Sequence, residues 1–275
     1  MLTLRFLHHH RKLILAFCAA AAPLQAQFGL ALSPMRMELN MAPGTQRTDT
    51  LVIANTDATT GRFRTEILDL SIDGEAVPQF EKEIASESEF SCKNWVTVNP
   101  MEGEIAPNGQ LTVRYTFRVP ATAPARTWHC ALGFTSLADP RKPAAAFGIV
   151  SQLRLTCTFY ITVGRPAPAG EVKQISIEKI KAPETAGYRA VISVENSGLT
   201  NLRGAGQVDI VDGSGQVVQT SDFPPVVILP SRTQRLPVIL TKKVGAGTYT
   251  LRTRVNLGNG EIQEAALRFQ LPPAE

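Results

Sequence analysis

The 275-residue chain carries 28 basic and 24 acidic residues, a formal charge of +4, with 20 glycines and 19 prolines. Three of the basic residues, Arg5, Arg11 and Lys12, lie in the first 26 positions, which leaves 25 bases against 24 acids in the remainder. A balance so close to neutral gives nucleic-acid binding no support, and the length suffices for one large domain or two ordinary ones.

The chain opens as an exported precursor does. Met1–Lys12 holds three cations and no acid, and the apolar run "LILAFCAAAAPL" over 13–24 is shorter than the roughly 20 residues a membrane span needs. Ala26 offers a small residue at a cleavage position. We therefore expect a signal peptide over 1–26, cut after Ala26. The competing reading is a retained anchor; a lipoprotein reading through Cys18 is opposed by the bulky Phe17 before it. No second long apolar run follows, so no membrane span is expected after signal removal. Export permits disulfides, and three cysteines remain: Cys92, Cys130 and Cys157.

Beyond the signal the dominant period is two. Met35, Met37 and Leu39 alternate with Arg36 and Glu38; "PGT" at 43–45 turns into "TLVIAN"; Phe63–Leu70 supplies another strand. "PNG" at 107–109 leads into the alternation of Leu111, Val113, Tyr115, Phe117 and Val119. Trp128, Cys130, Leu132 and Phe134 form the apolar face of the next strand. Residues 148–163, "GIVSQLRLTCTFYITV", alternate without a break, far beyond the usual strand of about 5–6 residues. So long an apolar strand either runs past its own sheet, where it templates pairing with another chain, or is a core strand running into a linker.

A Pro/Gly-rich break, "VGRPAPAG", spans 163–170. After it come "YRAVISVENSG", "GQVDIVDGSGQVVQT", "TQRLPVIL" and a long segment over 247–271, with "DGSG" and "LGNG" as hairpin turns. No long amphipathic helix is visible. The reading is all-β: two immunoglobulin-like β-sandwich domains in tandem after a signal peptide, over 27–165 and 166–275. The halves also rhyme. "LVIANTDATTGRFRTEILDL" parallels "AVISVENSGLTNLRGAGQVDI", each with an asparagine closing a strand.

Groups that do chemistry are sparse. Three of the four histidines, His8–His10, leave with the signal. His129 alternates onto the polar face of its strand and reads as a surface residue. No CxxC pair, nucleophile elbow or Gly-rich phosphate loop is present, so no enzyme, metal or cofactor is expected. The cysteines read as structural. A Cys92–Cys130 bridge would close a loop of about 39 residues and stabilise by about 3–4 kcal/mol. Cys130–Cys157 is the main competitor, and three buried free thiols are the third possibility.

The stretches "LSPMRMEL", "TLVIANTD", "CKNWVTVNPMEGEIAPNGQLTVRYTFRVP", "WHCALGF" and the long strand into "GRP" together resemble the periplasmic pilus-assembly chaperones, the PapD-like family, over roughly residues 30–166. The resemblance implies two immunoglobulin-like domains that capture secreted pilus or surface subunits by lending them a β-strand, with an outer-membrane usher as a further partner. It implies that Leu153, Leu155, Cys157 and Phe159 are the donated side chains and that the loop over about 137–147 is of a short type. It implies that Arg36 anchors the subunit's terminal carboxylate; the alternative is a solvated arginine paired with Glu38. The family's second basic anchor, a lysine before the aromatic pair, has no counterpart, and Arg154 is the nearest substitute. The runner-up reading is a non-catalytic structural or adhesion protein of the envelope or cell surface.

Overall fold

The computed structural model describes residues 29–137, 152–180, 187–240, 244–258 and 260–272. The predicted signal peptide, the loop at 138–147 and the first four residues of the predicted long strand lie outside the described residues.

The first sandwich contains ten strands: Leu30–Ser33 (β1), Arg36–Met41 (β2), Gln46–Asn55 (β3), Gly61–Ile72 (β4), Pro78–Glu81 (β5), Val96–Asn99 (β6), Glu102–Ile105 (β7), Gln110–Arg118 (β8), Thr127–Ser136 (β9) and Arg154–Val163 (β10). One sheet has the order β1-β3-β8-β6; the other runs β2-β10-β9-β4, and both β5 and β7 pair with β4. The alternation of β8 turns Val113, Tyr115 and Phe117 fully inward, with Leu132 and Phe134 of β9 facing them. Phe159 of β10 lies edge-on to Tyr115 at 4.9 Å and 5.0 Å from Phe117, near the favoured spacing of aromatic pairs. Burial pushes the Tyr115 phenol up to about 12, so it stays neutral in the core.

Cys92 and Cys130 are joined, with an S–S distance of 2.06 Å, and Cys157 is a buried free thiol. A 3-10 turn over Lys93–Trp95 follows Cys92 and sets the Trp95 ring 4.5 Å from that of Trp128.

The second sandwich contains Gly170–Ile180 (β11), Gly187–Asn196 (β12), Leu202–Val211 (β13), Val217–Ile228 (β14), Arg232–Ile239 (β15), Gly247–Asn256 (β16) and Ile262–Leu271 (β17). Its sheets are β11-β12-β15 and β14-β13-β16-β17. Strand β11 was not anticipated, because "EVKQISIEKI" carries charges on both faces. At the β13–β14 turn, Asp212 accepts from the backbone N–H of Ser214 and Gln216 while Gly215 takes φ +87°, a conformation that favours glycine.

The sequence rhyme has a structural counterpart. Asn55 closes β3 and donates to the carbonyls of Thr59, Ile105 and Ala106, while its Oδ1 accepts from Asp57 N–H. Asn196 closes β12 and donates to the carbonyls of Thr200, Ile228 and Leu229, while its Oδ1 accepts from Gly198 N–H. Each buried amide ties a strand end to the turn after it and to a strand end across the sandwich. Removing it strands carbonyls away from water. Asn196→Ala is expected to lower the unfolding free energy by about 2 kcal/mol, read as a reduced urea midpoint at unchanged slope; a change under about 0.5 kcal/mol would remove the fastening role.

The two sandwiches meet along a substantial seam. Leu70 and Tyr160 of the first bury against Leu229 of the second, with Ile72, Phe80 and Val227 around them. Thr127 N–H donates to Leu199 O at 2.7 Å, and Gln234 of the second sandwich donates to Asp73 O at 2.7 Å. Among the described residues three ion pairs cross the seam: Glu38 with Arg203, Glu75 with Arg189, and Glu87 with Arg232.

Candidate functional site

The two halves of β10 have different neighbours. Along its second half, β2 runs parallel to it, with Arg36 opposite Thr158 and Met41 opposite Val163. Every other named strand pair is antiparallel among the described residues. Along its first half β10 pairs only with β9, from Arg154 opposite Thr135. Ser136 N–H donates to Leu153 O at 2.8 Å, whereas Thr158 N–H donates to Met35 O at 3.0 Å. Backbone groups alternate sides along a strand. Odd-numbered residues therefore turn their backbone to β9, and even-numbered ones turn theirs to the opposite side. β2 fills that side only from Thr158 onward. The N–H and C=O groups of Arg154 and Thr156 meet no strand among the described residues.

The four side chains expected to be donated divide at the same place. Leu153 and Leu155 are half-buried, and Leu153 precedes the strand proper. Cys157 and Phe159 are completely buried within the first sandwich's own core. Burial pushes the Cys157 thiol up to about 12, which keeps it an unreactive apolar filler.

The two arginines expected to act together are not brought together. Arg36 sits opposite Thr158, four residues along β10 from Arg154, roughly 13 Å at the usual strand rise. Arg154 is held by Glu66, 3.2 Å from its carboxylate, and donates to Thr135 Oγ1 at 3.2 Å. Arg36 is more than half exposed at the cleft between the sandwiches, 3.4 Å from Glu38.

Beyond Arg36 the cleft holds a cavity of about 230 Å³ lined by residues of both sandwiches, among them Glu38, Tyr160, Thr162, Thr200, Asn201 and Arg203. Thr127 Oγ1 is 3.0 Å from Thr162 Oγ1 and 2.9 Å from Thr200 Oγ1, a hydroxyl chain across the seam. Arg203 sits 5.9 Å from the Tyr160 ring centre, and burial raises the Tyr160 phenol above its ordinary range.

Sequence reasoning missed a buried network below the cleft. His129 lies on the face of β9 that alternation assigns to polar residues, yet it is wholly buried, with Glu87 and Phe90 of the first sandwich's own 85–92 segment packed against it. Its Nε2 lies 3.1 Å from Glu87 Oε2, and its ring stacks on Phe90 at 6.2 Å. Glu87 Oε1 accepts from Arg232 Nε at 3.2 Å and Nη2 at 3.0 Å. Burial alone would raise the Glu87 carboxyl, but the bonds from His129 and Arg232 outweigh it and hold it below the usual carboxylate range. Nothing in the sequence links positions 87, 129 and 232. Among the described residues, no group of three or more His, Cys, Asp or Glu could hold a metal ion, and no helix is long and apolar enough to cross a membrane.

The chain is thus a tandem immunoglobulin-like β-sandwich protein in which, among the described residues, the first half of β10 is paired on one side alone, beside an interdomain cleft. No family model and no curated protein matches the sequence. Among solved structures it is similar to the CupB2 chaperone of Pseudomonas aeruginosa, at 14% identity and TM-score 0.43, over 86% of this chain and 98% of that one. It is also similar to a chain of the CsuC–CsuE chaperone–tip adhesion subunit pre-assembly complex of Acinetobacter baumannii, at 11% identity and TM-score 0.45, over 87% and 97%. A third similar chain comes from the Salmonella enterica SafA pilin complex with the SafB chaperone, at 13% identity and TM-score 0.42, over 89% and 97%.

Proposed function

We propose that this chain is a non-enzymatic periplasmic chaperone that captures secreted pilus or surface subunits by lending them the free edge of β10. The observation that carries this reading is the half-open strand. Among the described residues no strand pairs with the outward backbone groups of Arg154 and Thr156, which stand next to two half-buried leucines, Leu153 and Leu155. An unpaired strand edge in solution is a liability unless it is used, and pairing with an incoming strand satisfies it. The sequence resemblance to PapD-like chaperones supports the same use, and the leading segment over 1–26 supports export to the periplasm. An outer-membrane usher would receive the loaded chaperone.

Two substitutions test strand donation. Thr156→Pro removes an N–H that faces away from β9, so the protein's own ladder keeps its bonds while an incoming strand loses one and meets the ring. Leu155→Asp places a charge where an apolar side chain would enter the client. Co-export with a secreted pilus subunit, followed by affinity capture, is expected to give a stoichiometric complex with the parent chain. Recovery should fall at least tenfold with either variant, while Thr156→Pro keeps the parent circular dichroism and melting temperature. Undiminished complex with both variants would overturn donation through this edge.

A further inference from the structure

Strand β4 accompanies β9 only as far as Leu68, opposite Ala131. Beyond that point a different stretch takes its side of β9. His129 N–H donates to Phe90 O at 2.9 Å, and Cys92 N–H donates to His129 O at 3.1 Å. The disulfide ties Cys92 of this stretch to Cys130 of β9. Residues 82–92 have little else to hold them. Their regular structure is one 3-10 turn over Ala85–Glu87, and most of their side chains are exposed. Asp69 of β4 accepts from Ile84 N–H, Ser91 Oγ and Lys93 Nζ. A segment with so few apolar contacts opens at low cost unless a covalent bond closes it. The same stretch seats Arg232 of the second sandwich. Ser86 O and Glu87 Oε1 accept from its guanidinium, and the Phe90 ring lies 6.0 Å from it. The disulfide therefore stands at the foot of a contact between the sandwiches.

We propose that the Cys92–Cys130 disulfide gates the seating of the two sandwiches on each other. The reduced chain folds both sandwiches, but the stretch carrying Ser86, Glu87 and Phe90 lifts from β9, and Arg232 loses its seat until oxidation closes the stretch again. The closing step is thiol–disulfide exchange with a disulfide oxidant. The Cys92 thiolate attacks a sulfur of the oxidant, and the Cys130 thiolate then attacks Cys92 Sγ in the mixed disulfide. The Cys92–Cys130 bond forms, the oxidant's S–S bond breaks, and the oxidant leaves as two thiols with both electrons and both protons. Once closed, Cys92 is fully buried and Cys130 is 1% exposed, so the bond is sealed from reductants. The gate acts in one direction: open to oxidants while reduced, shut to reductants once oxidised. It stands apart from the chaperone reading, and its test needs no client.

The test unfolds the full mature chain in urea with dithiothreitol, refolds it under reductant and pulses it with excess iodoacetamide. Cys157, a free thiol fully buried in the first core, is the internal control. In the reduced chain Cys92 is expected to be alkylated faster than Cys157 by roughly tenfold or more. Equal protection of the two would show that the stretch stays docked without the bond. Equal exposure of the two would show that the bond holds the first sandwich itself. Either result overturns the gate. Backbone amide relaxation gives a second readout. The oxidised chain should tumble as one body and the reduced chain as two, and oxidised glutathione should restore the single body. Arg232→Gln should loosen the joint in the oxidised chain and change nothing in the reduced one. An unaltered joint in the oxidised variant, or further loosening in the reduced one, would remove Arg232's seat as the thing the disulfide controls.

Discussion

Phe159→Ala is expected to lower the unfolding free energy by about 4 kcal/mol, seen in urea denaturation as a lower midpoint at unchanged slope. The ring is fully buried between Tyr115 and Phe117, where deleting it leaves a cavity that rigid aromatic neighbours cannot collapse into. Phe159→Leu, which keeps most of the volume, should cost about 1 kcal/mol. A loss under about 1.5 kcal/mol for the alanine variant would mean that the second half of β10 is not core. The expectation bears on the proposed function, because a side chain that supports the protein's own sandwich cannot be given to another. On the proposed function, Cys157 and Phe159 would hold the strand in place within the core, while the half-buried Leu153 and Leu155 would be the side chains offered to a client.

Glu87→Ala should destabilise by about 3 kcal/mol, since removing one member of a buried pair leaves Arg232 and His129 without their shared acceptor. The effect should appear as loss of cooperativity between the sandwiches: in calorimetry, one transition becomes two. A single transition at the parent temperature would show that the network does not join them. The parent interaction also has a defined pH window. The folded-state pKa of Glu87 is depressed, so its stabilisation is complete above the unfolded carboxyl value of about 4.3 and is lost as pH falls through the lower folded value. The difference between parent and Glu87→Gln should therefore persist at neutral pH and vanish in strong acid.

Much of the fold was legible because alternation reports directly which face of a strand is buried. The strands around Leu111–Val119 and Trp128–Phe134 appear as β8 and β9, and the two strand-closing asparagines mark equivalent points of the two sandwiches. Alternation says nothing of what covers a face. His129 lies on the side of β9 that alternation gives it but in a buried environment, because the 85–92 segment, distant in sequence, packs over it. The same limit applies to β10. Its period runs unbroken from Leu153 to Phe159, but the arrival of β2 at Thr158 divides it into a free edge and a paired one. The pairing of Glu38 with Arg203 of β13 joins positions 165 residues apart, beyond the reach of any local pattern.

The three ion pairs across the seam have a common polarity: Glu38, Glu75 and Glu87 stand on the first sandwich, and Arg203, Arg189 and Arg232 on the second. The near balance of 25 bases and 24 acids beyond residue 26 hides this division. Two first sandwiches brought seam to seam would oppose acid to acid, and two second sandwiches base to base, juxtapositions that each cost several kcal/mol. The seam thus rejects its own kind. It favours the unlike half.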